Sequence, residues 1–64
     1  MIFYQAFVEV ITQNGSYWNR LATPSTVRSD AEADVAKYLE SKREGTNGFR
    51  KGPPGRTRID EKRI

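Results

Sequence analysis

Residues 3–23 read FYQAFVEVITQNGSYWNRLAT, and the fold turns on them. From Phe3 to Thr12 the residues are mostly β-branched or aromatic with a two-residue period. Tyr4, Ala6, Val8 and Val10 fall on one face, and Phe3, Gln5, Phe7, Glu9 and Ile11 on the other, the alternation of a β-strand. Asn14-Gly15 follows, the strongest short-range signal for a type I′ hairpin turn, whose two central residues both need φ > 0. Ser16 to Thr23 then forms the returning strand, and Pro24 ends it because it has no amide to donate. With Asn14 and Gly15 at the turn centre, Val8 faces Leu21, Ile11 faces Trp18 and Glu9 faces Arg20. The last pairing sets opposite charges across the strands, which is favourable. The expected core face is Tyr4, Ala6, Val8, Val10, Tyr17 and Leu21. The other face carries Phe3, Phe7, Ile11 and Trp18 beside Glu9 and Arg20, and it is too apolar to be only a solvated surface.

A helix is expected next, from Asp30 to Glu44. Ser29 is placed as its N-cap, and Glu32 three residues on completes a capping box. Asp30, Glu32 and Asp34 lie near the positive end of the helix dipole, with Lys42 and Arg43 near the negative end. Ala31, Val35, Tyr38 and Leu39 follow the spacing of one apolar stripe, which would cover the core face of the hairpin. Gly45 is suited to a left-handed C-terminal cap. The chain thus divides into a ββα body over residues 1–45 and a basic segment containing Gly and Pro over residues 46–64. In that segment Phe49 can close the open end of the core. Arg56 to Ile64 alternates weakly, as a third strand or as a flexible tail. A right-handed crossover through the helix would set such a strand beside the first, in order 2-1-3. The fold class is α+β, as ββα or ββαβ.

Charge is sorted along the chain. From Lys42 onward eight basic residues stand against Glu44, Asp60 and Glu61, so that part carries +5 while the first 41 residues carry −2. A slightly acidic body with a basic extension suits an anionic partner. At 64 residues with no cysteine, the core is worth about 3–5 kcal/mol net, and no disulfide supports it. The chain has no histidine and so lacks the usual general base at neutral pH and the commonest metal ligand. Ser25, Thr26 and Ser29 have no activating partner, and the glycines do not follow phosphate-loop spacing. Asp30, Glu32 and Asp34 at i, i+2 and i+4 point to different sides of a helix, which suits dipole complementarity better than a Mg²⁺ site. The expectation is a non-enzymatic protein without cofactor or metal. The first eleven residues are too short and too polar for a membrane span, and they lack a basic leader. A soluble cytoplasmic protein with no membrane partner is expected.

Two candidate surfaces remain. Arg50, Lys51, Arg56, Arg58, Lys62 and Arg63 can neutralise phosphates and release counterions, although such a run also serves as a solvated tail. Phe3, Phe7, Trp18 and Arg20 form an aromatic face of the kind on which single-stranded bases stack. The same face suits a protein contact, with a partner or with a second copy through the sheet. Nucleic acid bound through its backbone is the leading expectation, and an acidic protein surface is the alternative. In size and composition, short and without cysteine, the chain is similar to small bacteriophage-encoded proteins that bind and inhibit host enzymes. That resemblance implies an inhibitor of a host protein, and the residues themselves offer the aromatic face and the basic segment as its binding surfaces.

Overall fold

A computed structural model describes residues 1–64. Strand β1 runs Ile2–Thr12, β2 Gly15–Arg20, helix α1 Arg28–Glu44, and β3 Thr57–Arg63. The three strands form one antiparallel sheet in the order β2-β1-β3, an α+β fold. The C-terminal residues are therefore a strand and complete the sheet. β3 lies along the first half of β1, pairing Ile2 with Arg63 and Val8 with Thr57. Backbone bonds between Met1 and Ile64 carry that ladder one pair further.

The hairpin register differs from the expected one by two residues. Glu9 lies opposite Trp18 rather than Arg20, Val8 opposite Asn19 rather than Leu21, and Ile11 opposite Ser16 rather than Trp18. The two-residue loop is Gln13-Asn14, and neither residue has positive φ; Gly15, at φ 131, already pairs with Thr12. Thr12 closes this turn, its hydroxyl accepting the Asn14 amide at 3.3 Å and donating to the Gly15 carbonyl at 2.9 Å. A shift of two preserves side-chain parity, so every residue keeps its face. β2 also ends at Arg20 instead of Thr23. The chain beyond it stays beside β1 through Leu21, whose amide donates to Ala6 at 3.0 Å, and through a two-way bridge between Ser25 and Tyr4.

Helix α1 starts two residues earlier than expected. Val27 occupies the N-cap position, no side chain caps the helix there, and the Ser29–Glu32 capping box does not form. Ser25 organises this corner instead. Its hydroxyl accepts the Val27 amide at 3.1 Å and donates to Asp30 at 2.7 Å, a local side-chain turn that fixes the approach to the helix. Arg28 then anchors the first turn through Glu32 at 3.4 Å and reaches Glu61 of β3 at 3.1 Å. At the other end Gly45 takes the expected left-handed cap, φ 71 and ψ 39, with its amide on the Ser41 carbonyl.

The core is small: Ala6 and Val8 of β1 lie against Ala31 and Tyr38 of α1, with Ser41 buried beside them. The Tyr38 ring meets Phe49 edge-on at 5.0 Å, so Phe49 does close the end of the core. Leu39, expected in the apolar stripe, is 40% exposed, and Tyr17, expected in the core, is 55% exposed. The exposure of Tyr17 follows from the helix's position, because α1 packs on β1 and β3 and does not reach β2, whereas Leu39 turns toward the connection after the helix, beside Lys51, Gly52 and Pro54. Gly55 is the most closely approached of the glycines, and an added Cβ there would run into the Glu9 carbonyl. Gly55→Ala is thus expected to push β3 off β1 and lower stability by about 1–3 kcal/mol. Urea denaturation would measure it, and an unchanged midpoint would refute the close approach.

Candidate binding surface

The sheet face away from α1 is open. Parity places Phe3, Gln5, Phe7, Glu9 and Ile11 of β1 on it, with Ser16, Trp18 and Arg20 of β2. β3 adds Arg58, Asp60 and Lys62, and Arg56 joins just before that strand. The two candidate surfaces of the sequence thus merge in part. Arg56, Arg58 and Lys62 stand among Phe3, Phe7, Trp18 and Arg20. Arg63 pairs with Ile2 and lies on the helix side of the sheet. Arg50 and Lys51 sit in the connection after the helix, with Lys51 packed against Gly45.

The cations on this face are held over the rings. The Arg58 guanidinium carbon lies 4.5 Å from the Trp18 ring centre and 5.2 Å from that of Phe7. Arg56 approaches Trp18 at 5.8 Å. Such contacts contribute about 0.5–1 kcal/mol each at exposed sites, and they hold the guanidinium groups close above the aromatic rings of the sheet. Four cations (Arg20, Arg56, Arg58 and Lys62) face two carboxylates, Glu9 and Asp60. The face is therefore net positive. Asp60 pairs with Arg58 at 3.3 Å, while Arg20 and Lys62 have no carboxylate within ion-pair distance. A shallow groove of about 600 Å³ runs beside these residues, lined by Phe3, Gln5, Phe7, Arg20, Pro24 and Lys62 among others.

Glu9 is the anchor that sequence reasoning assigned to the wrong partner. Arg56 binds it in a fork, Nε donating to Oε1 at 3.2 Å and Nη2 to Oε2 at 3.0 Å. The Ser16 hydroxyl donates to the same carboxylate at 3.1 Å. The Glu9 side chain is only 11% exposed while Arg56 remains 77% exposed. The hydrogen bonds from Arg56 hold the Glu9 pKa below its ordinary 4.5, against the opposing effect of desolvation. A carboxyl with a lowered folded-state pKa stabilises the fold fully above its unfolded value and loses that contribution as the pH falls through the lowered one. The stability gap between the wild type and Glu9→Gln should accordingly be constant near neutrality. It should shrink below about pH 4.5. Urea midpoints from pH 7 to pH 2 would show this, and a gap independent of pH would contradict it.

No three carboxylates converge anywhere in the chain. Asp30 is bonded to Ser25 and Glu32 to Arg28. No helix is long and apolar enough to cross a membrane. Comparison with family models, curated proteins and solved structures returns no match to this chain.

Proposed function

We propose that the protein is a non-enzymatic binding protein whose open sheet face takes single-stranded nucleic acid with little sequence preference. The observation that carries this reading is the interleaving of Phe3, Phe7 and Trp18 with Arg20, Arg58 and Lys62 on one uncovered face. An unstacked strand offers the two chemistries this face can meet. Its phosphates suit the unpaired Arg20 and Lys62, and its bases suit flat stacking on rings or on the Arg58 guanidinium. A duplex keeps its base faces stacked on one another and so leaves the aromatic rings without a base to stack on. Arg56 serves the face by position, because its charge is met by Glu9.

Trp18 is the only tryptophan, so its fluorescence reports the site directly. Titration with a short oligothymidine should quench it, with an affinity that falls steeply as salt rises. An unchanged Trp18 signal together with binding that ignores salt would refute the proposal. The second reading, an acidic host protein in the manner of an inhibitor, rests on the groove in which Phe3, Phe7 and Pro24 adjoin Arg20 and Lys62. It predicts capture of a specific protein that survives nuclease treatment and is lost in Arg20→Ala, which changes an exposed residue of that groove.

A further inference from the structure

We propose that β2 is the seam of a symmetric dimer in which two copies of this chain form one six-stranded sheet. The sheet has two free edges of opposite character. β3 carries charge at five of its seven positions, Arg58, Asp60, Glu61, Lys62 and Arg63, and charged edges deter strand addition. β2 carries one charge, Arg20, and two aromatic residues. No backbone hydrogen bond reaches its outward groups, and α1 stops short of it.

The backbone of β2 is self-complementary about Trp18. The Leu21 amide donates to Ala6, and in an antiparallel ladder the bonded residues alternate. The odd-numbered residues of β2 therefore turn their amides and carbonyls toward β1, and Ser16, Trp18 and Arg20 turn theirs outward. A two-fold axis normal to the sheet through Trp18 sets Ser16 opposite the partner's Arg20 and Trp18 opposite the partner's Trp18. All three outward-facing residues then find partners, in roughly six new backbone bonds. This axis also keeps both open faces on the same side, so the two cationic aromatic surfaces become continuous.

Side chains at the seam favour a second copy over an arbitrary strand. Arg20 has no carboxylate partner in its own chain. Across the seam it comes beside the partner's Ser16, whose hydroxyl is bonded to Glu9. No like charges meet directly. A core built on Ala6, Val8, Ala31 and Tyr38 is also small enough that association adds materially to stability.

Sedimentation equilibrium in the absence of nucleic acid tests the dimer apart from the proposed function. The expected mass is twice the 7.3 kDa of the chain, falling toward the single mass on dilution. Ser16→Lys sets an ammonium opposite the partner's Arg20 at both symmetric positions and should weaken the dimer by about tenfold. Adding Arg20→Glu reverses one sign in each pair and should restore it to within a few-fold. A constant mass of 7.3 kDa up to millimolar concentration would overturn the proposal. So would assemblies larger than a dimer, a dimer indifferent to Ser16→Lys, or failure of Arg20→Glu to restore it.

Discussion

Tyr38→Ala is expected to leave about half of the chains unfolded at 25 °C. Tyr38 is the largest of the four buried apolar residues, 5% exposed, and its ring meets Phe49 across the end of the core. Removing a buried aromatic ring costs about 3–5 kcal/mol, which matches the whole net stability of about 3–5 kcal/mol expected of a scaffold this small. Tyr38→Phe keeps the ring and its edge-on contact, so it should cost under about 1 kcal/mol. Leu39→Ala, one residue along, changes a 40% exposed side chain and should melt close to the wild type. Circular-dichroism melts of the three variants separate these cases. A cooperative transition in Tyr38→Ala within a few degrees of the wild type would mean that the core lies elsewhere.

The triple variant Arg20→Ala, Arg58→Ala, Lys62→Ala is expected to lose about 100-fold in oligothymidine affinity at 0.1 M salt. The estimate follows from counterion release, in which each neutralised phosphate of a single strand adds about 0.7 to the slope of log affinity against log salt. Two lost phosphate contacts, at Arg20 and Lys62, should lower that slope by about 1.4, which is roughly 25-fold at 0.1 M salt, and loss of the Arg58 stacking platform supplies the remainder. All three residues are exposed, and the Arg58 ion pair with Asp60 is a surface pair of small energetic weight, so the fold should survive. Fluorescence titrations at several salt concentrations give both quantities. A triple variant with the wild-type slope would mean that these cations do not touch phosphate, whatever its affinity.

The sequence carried the faces of the sheet more reliably than their registration. Alternation from Phe3 to Ile11 assigns each side chain to a side by covalent geometry, and a two-residue slip leaves that assignment intact. The registration depended on the turn. Asn14-Gly15 pointed to a turn with two positive φ values, but the Thr12 hydroxyl favours a loop one position earlier, and only Gly15 needs positive φ. The Glu9–Arg20 pairing was lost with that slip. The true partner, Arg56, is 47 residues away in sequence, and no local pattern discloses a pairing at that range. Gly45 was legible as a cap because its signal is local. The helix start was not, because Ser25 acts from outside the helix and does not cap it in the usual place. The site itself was legible only as two fragments, an aromatic face and a basic run. They join on one surface because β3 returns beside β1, a consequence of strand order that composition does not express.

That return also sets the kinetics of folding. β1 is the central strand, yet its β3 partners lie 49 to 61 residues further along a chain of 64. The hairpin and helix can form from near neighbours within microseconds, but half of the central ladder must wait for a loop nearly as long as the protein to close. High contact order of this kind places the rate-limiting step at the docking of β3 and slows it toward the millisecond range. Until then the Phe3–Phe7 stretch of β1 presents an unpaired hydrophobic edge, and the Glu9–Arg56 fork is among the last contacts made.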